Sequence, residues 1–153
     1  MLDTIILLMG PVERPVLTLV LQGHNPRLSV QAVATSVELA ALRPRSLRSA
    51  RLIAFCTDTL VPAAVLHRLA FGAYNFHPGP PRFPGWGAAH FAVHRGATEF
   101  GATAHVMVDK VDAGAIVGVE RFWIPPGSTA LQLEEMAYAG AARLFWRLAR
   151  PLA

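Results

Sequence analysis

The sequence predicts an α/β protein whose mostly parallel sheet carries helices on both faces. Two observations predict it. Short apolar, β-branched runs such as Thr4 to Met9 and Arg51 to Cys56 read as buried parallel strands. Segments of helical periodicity lie between such runs, and strand–helix alternation is the signature of parallel crossovers.

The elements follow in order. Gly10-Pro11 ends the first strand, and Pro11 or Pro15 suits a helix first turn, where no bond is lost. A helix over about 13–23 is closed by Gly23 and the turn His24-Asn25-Pro26. Leu28 to Ala34 alternates like a strand, with Ser36 as a candidate N-cap for a short helix to Leu42. Arg43 to Ser49 reads as a loop, Arg51 to Cys56 as a buried strand and Pro62 to Leu69 as a short helix. The apolar run Phe71 to Phe76 leads into the strand Tyr74-Asn75-Phe76-His77. A helix over 86–95 and strands over 101–108 and 115–123 come next. Ser128 opens an amphipathic helix to Leu148, with Glu134 and Glu135 early and Arg143, Arg147 and Arg150 late, matching the helix dipole.

Composition narrows the function. The chain has 153 residues, enough for one cored domain, and its 53% hydrophobic and 16% charged content excludes disorder. The net charge of +4 comes from arginine, Lys110 being the only lysine. Arginine admits an anionic ligand. The one cluster, Arg43, Arg45, Arg48 and Arg51, reads as a solvated face rather than a nucleic-acid patch. A single cysteine, Cys56, excludes an intrachain disulfide, suits a reducing compartment and reads as a small core residue. No apolar run nears the roughly 20 residues that span a bilayer, and Asp3 sits where a signal peptide is basic. A cytoplasmic protein is expected.

The candidate site begins at Asn75-Phe76-His77-Pro78-Gly79-Pro80-Pro81. On a strand, Asn75 and His77 project from the same face. The prolines behind them end the strand and stiffen the loop. In such sheets ligands bind beyond the carboxyl ends of strands, which puts the loops 10–14, 57–61 and 78–85 at the site. Each residue also has a plain structural reading: Asn75 as a capping amide, His77 as a core histidine, Asp112 before Ala113-Gly114 as the start of a tight turn.

Asn75-x-His77-Pro78, Pro84-Gly85, Gly101-Ala102-Thr103-Ala104-His105 and Asp109-Lys110-Val111-Asp112-Ala113-Gly114 resemble, in order and spacing, the catalytic core of the folate-dependent formyltransferases. That family includes glycinamide ribonucleotide, methionyl-tRNA and sugar-nucleotide enzymes, and formyltetrahydrofolate hydrolases. The resemblance spans residues 51–124. It implies a Rossmann-like formyltransferase fold and formyl transfer from 10-formyltetrahydrofolate to a small-molecule amine. Asn75 and His77 would hold the oxyanion, while Asp112 would orient His77 and manage the proton. Asp58, Thr59 and Leu60 match the loop that grips the pteridine through its backbone, and Val108, Asp109 and Lys110 would form the facing wall. His105 would lie near the substrate. No metal is implied: His90 and His94 have a zinc-compatible spacing, but no Cys lies near and no H-E-x-x-H pattern is present.

The chain also departs from the family. Met9-Gly10-Pro11-Val12-Glu13-Arg14-Pro15 replaces a glycine-rich phosphate loop with two prolines and an acid, disfavouring a ribonucleotide substrate. The short stretch before Arg51 implies an abbreviated N-terminal half, missing a βα unit. A single domain, 1–153, is expected, without a tRNA-binding or regulatory domain. A formyl-folate hydrolase, or a non-catalytic ligand-binding scaffold that keeps the site residues, remains open beside the transferase. An exposed part of the last helix offers a face for a homodimer.

Overall fold

The computed structural model describes residues 1–153. Four strands, β1 (Thr4–Leu8), β2 (Ser29–Val33), β3 (Ala50–Phe55) and β4 (Ala73–His77), pair in parallel. β5 (Glu99–Val106) and β6 (Ile116–Trp123) add antiparallel strands, giving the order β2-β1-β3-β4-β5-β6. The helices are α1 (Arg14–His24), α2 (Ser36–Ala40), α3 (Pro44–Leu47), α4 (Ala63–Leu66), α5 (Ala88–His94) and α6 (Ala130–Leu152).

Alternation along the strands builds two cores, one on each sheet face. Ile5, Leu7, Ile53, Phe55, Phe76, Ala102 and Ala104 pack with Leu17 and Leu21 of α1 and Leu144 and Phe145 of α6. Ile6, Leu8, Leu52 and Ala54 face Leu39 of α2 and Leu47 of α3. A third cluster, Phe83, Ala88, Ala92, Phe100, Leu133 and Ala137, seats α5 on the first turns of α6. That cluster frames the loop that follows β4.

Several boundaries differ from the sequence reading. The caps are Thr35 and Thr129, not Ser36 and Ser128: each threonine Oγ1 accepts the N–H three residues on, and Glu38 or Gln132 reaches back to the threonine N–H. A capping box needs Glu or Gln at the third helical position, which Thr35 and Thr129 have and Ser36 and Ser128 lack. Residues 44–47 form the single turn α3 rather than loop. α6 runs past Leu148 to Leu152, with Pro151 in its last turn, where the missing N–H leaves the Arg147 carbonyl without its helical donor. Arg51 leaves the arginine cluster: its guanidinium donates to the Pro151 and Leu152 carbonyls at the end of α6 and lies 5.4 Å from the Tyr74 ring. No helix is long and apolar enough to cross a membrane.

Candidate active site

β4 ends as the sequence predicts, with Asn75 and His77 on one face and buried Phe76 on the other. Because β5 is antiparallel to β4, Asn75 lies opposite His105 and His77 opposite Thr103. Thr103 Oγ1 donates to the Gly79 carbonyl at 2.8 Å and so pins the loop leaving β4. Gly79 is required there, since a Cβ would come within 2.5 Å of His77 Nε2.

The segment 107–114 folds back over the sheet and delivers Asp112. Gly114 permits this close return, because a Cβ on it would run into the Val106 carbonyl. Asp112 itself sits at φ 51° and Cys56 at φ 45°, the two non-glycine residues in left-handed backbone. Both line the same cavity, and such conformations concentrate at functional sites. Cys56 is a partly buried residue that packs against the main core and also lines the cavity; burial pushes its thiol pKa up, which makes it a poor nucleophile.

Asp112 partners His105, not His77. Its Oδ1 accepts from His105 Nε2 at 3.0 Å and its Oδ2 from the Gly85 N–H at 2.7 Å. The strand register explains the difference, since it sets His105 beside Asn75 directly beneath the returning loop. His105 Nδ1 lies 2.9 Å from the Val106 carbonyl, an acceptor. Both ring nitrogens thus face acceptors, an arrangement that favours the protonated ring beside the Asp112 carboxylate. The side chains are only 5% and 9% exposed. The 3.3 Å approach of Asn75 Nδ2 to His105 Nε2 is then donor against donor, and the Asn75 amide bonds instead to Asp112 Oδ1 at 3.4 Å.

The electrostatics agree. The His105 hydrogen bond, opposed by burial and aided by the charge of His77 and the Gly85 N–H, pushes the Asp112 pKa down to about 2. Burial lowers that of His105, but its bonds to Asp112 and Val106 and the carboxylate charge together raise it above 6.5. Burial lowers His77 below 6.5, against the pull of Asp112, so His77 is neutral at pH 7; its Nε2–H donates weakly to the Phe83 carbonyl at 3.4 Å. The linkage signs follow. The His105 contribution to stability is complete below pH 6.5 and fades as pH rises through its raised value. That of Asp112 is present above pH 3.8 and fades toward about 2, so the pair contributes most between these limits. His77 acts oppositely, its contribution fading as pH falls through its lowered value.

An NMR titration of the imidazoles is expected to show His105 titrating above 6.5 and His77 below it. Asp112→Asn leaves His105 with burial opposed only by the weaker Val106 bond, so its pKa should drop below 6.5. A His105 that stays above 6.5 in that variant would show that the carboxylate is not its partner.

The cavity these groups share measures about 500 Å³ and opens between the 57–61 loop, the 107–112 segment, the start of α5 and α6. Residues 40–146 match the model of a family described as formyl transferase. The chain belongs to the formyl transferase family. It is 33% identical over 132 residues to a methionyl-tRNA formyltransferase of Bdellovibrio bacteriovorus, an alignment covering 75% of this chain and 41% of that relative. Among solved structures, a sugar N-formyltransferase from a Shewanella species superposes with a TM-score of 0.80 at 15% identity, over 98% of this chain and 69% of the other. An N-formyltransferase from Helicobacter canadensis, in complex with folinic acid and dTDP-3-aminofucose, gives 0.75 at 16% identity, over 99% and 64%. These likenesses show the fold.

In this formyl transferase domain Asn75, His77, His105 and Asp112 converge on one cavity with Asp58, Thr59, Leu60, Val108 and Asp109. Lys110 does not join them; it lines an adjoining hollow with His67 and Asp109, which are 2.9 Å apart. Apart from the Thr59 N–H, which bonds Thr57 Oγ1, the backbone groups of 57–61 make no hydrogen bond within the chain. Those of Val108, Asp109 and Val111 are equally free. Free donors and acceptors along a cavity wall offer hydrogen bonds to a bound molecule. Sequence reasoning missed Trp86, Glu134 and Tyr138, which also line the cavity. Glu134 and Tyr138 are four apart on α6, a spacing that puts both on one face and was readable, but the sequence reading gave Glu134 only a helix-dipole role and the helix a core or dimer face. His90 and His94 are exposed, and His90 lies 3.7 Å from Glu134.

Proposed function

We propose that this chain transfers a formyl group from 10-formyltetrahydrofolate to the amine of a small-molecule acceptor. The observation that carries it is the convergence of Asn75, neutral His77 and the His105–Asp112 pair on a cavity whose loop walls keep free backbone donors and acceptors. In the reaction a neutral amine nitrogen attacks the formyl carbon and a C–N bond forms. The tetrahedral oxyanion collapses, the bond from carbon to folate N10 breaks, and the proton lost by the amine ends on N10.

Asn75 would donate a side-chain N–H to the oxyanion, a role supported by the 3.4 Å bond from its amide to Asp112 Oδ1. His77, neutral near pH 7 and facing the cavity, is the group suited to relay the proton from amine to N10. Asp112 is unsuited to the relay, because a carboxylate with a pKa of about 2 accepts protons poorly at neutral pH. Its work is to anchor Asn75, the His105 imidazolium and Gly85. Asp58, Thr59, Leu60, Val108 and Asp109 would hold the folate, mainly through backbone, with Lys110 beside its tail.

Calorimetric titration with 5-formyltetrahydrofolate, a stable analogue of the donor, tests the reading. Micromolar binding that weakens by about tenfold or more when residues 57–61 are replaced by a glycine-serine loop is expected, a loss of about 1.4 kcal/mol. Folded protein that does not bind the analogue would overturn formyl transfer and favour a scaffold role. Formate release from 10-formyltetrahydrofolate with no amine present, unaffected by added amines, would make the protein a hydrolase.

A further inference from the structure

The charge of the cavity differs from that of the chain. The chain carries 14 lysines and arginines against 10 acids, yet none of those 14 is among the 24 residues lining the cavity. Four carboxylates are: Asp58, Asp109, Asp112 and Glu134. Asp112 is committed to the His105 imidazolium and Asp109 to His67. Glu134 meets only the exposed ring of His90, at 3.7 Å, and is itself 48% exposed.

Glu134 and Tyr138 bring the wall formed by α6, and Trp86 brings the start of α5. Trp86 is 88% exposed, between Gly85 and Gly87, whose backbones are both left-handed at φ 77° and 76°. An indole held outward at a cavity rim leaves its face free, and indole is the best aromatic partner for a cation. Outside the lining but beside Tyr138, Glu13 is the N-cap of α1 and occupies the helix end where an anion would otherwise bind.

We propose that the acceptor is a small amine bearing a second cationic group and no phosphate, and that Glu134 and Trp86 bind that second group. This rests on the formyl-transfer reading and names its substrate class. The reacting nitrogen is neutral when it attacks, while the second stays an ammonium against the Glu134 carboxylate and the Trp86 face. A phosphate in the same place meets carboxylates and no lysine or arginine.

Three matched amines test it with 10-formyltetrahydrofolate: 1,4-diaminobutane, propylamine and phosphoethanolamine. The expected order of kcat/KM is diamine, then propylamine, then phosphoethanolamine. Glu134→Gln should lower kcat/KM for the diamine about tenfold, through KM, and close the gap to propylamine. Trp86→Ala should lower it about threefold. Glu134→Arg should move the preference toward phosphoethanolamine. Phosphoethanolamine used as well as the diamine, a Glu134→Gln variant with unchanged selectivity, or no diamine turnover by protein that binds 5-formyltetrahydrofolate would each overturn the proposal while leaving the folate reading intact. Loss of folate binding itself would overturn both.

Discussion

Replacing Asp112 by asparagine, or His77 by alanine, is expected to lower formyl transfer by at least about 100-fold, the lower end for groups that handle protons or charge in a transition state. Asparagine at 112 is a clean probe. It keeps the size of the side chain and, with aspartate, is among the few residues that tolerate left-handed backbone, which φ 51° requires. What it removes is the charge and one of two acceptor oxygens: His105, 4% exposed, loses its counterion, and the amide can no longer accept both at the position shared by His105 and Asn75 and at that of the Gly85 N–H. The two variants should fail differently. Without His77 the proton relay is gone, so the loss persists at every pH; without Asp112 the neutral His77 remains, but the oxyanion donor is no longer held. Single-turnover rates of 10-formyltetrahydrofolate consumption, with circular dichroism to verify folding, make the comparison. Rates within a few-fold of wild type in both variants would remove these residues from the mechanism.

Phe76→Ala is expected to destabilise the fold by about 3–5 kcal/mol, the range for truncating a fully buried phenylalanine. Phe76 is 0% exposed and lies between Asn75 and His77 in sequence but on the opposite sheet face. Its ring centroid is 5.3 Å from that of Phe145 on α6 and 6.2 Å from that of Phe55 on β3. Phe55 in turn meets Tyr138 edge-on at 5.5 Å, which ties this aromatic cluster to the cavity wall. A domain of this size has about 5–15 kcal/mol of stability, so the variant sits near the threshold of unfolding. The urea midpoint should fall with the m-value unchanged. A loss below about 1.5 kcal/mol would mean that the cluster repacks around the gap and does not hold β4 in place.

Much of the site was readable from residue types and spacing. Asn75 and His77 emerge side by side because strand side chains alternate, and any β4 ending at Pro78 gives that result. The 57–61 loop follows from the rule that ligands sit beyond strand ends. The helix caps were misread as Ser36 and Ser128, although T-x-x-E and T-x-x-Q single out Thr35 and Thr129 beside them.

The partner of Asp112 was not legible. Whether that carboxylate meets His77 or His105 depends on the antiparallel register of β4 and β5 and on how far 107–114 folds back, and a one-residue slip in register would turn His105 to the other face. The consequences are large, because the register sets His105 against Asp112, which favours the protonated form of the one and holds the pKa of the other down to about 2. Trp86, Glu134 and Tyr138 are of the same kind: the packing of α5 on α6 carries them to a cavity whose other walls are remote along the chain. Periodicity and local turn chemistry suffice for the strand and helix pattern and the face on which Asn75 and His77 stand, because each of these is set within a few neighbouring residues, while the family was legible as a resemblance of motifs in order along 51–124. Which charges pair, and what sign the cavity presents, needed the folded molecule, because both depend on distances between segments that meet only when the sheet and helices close around it.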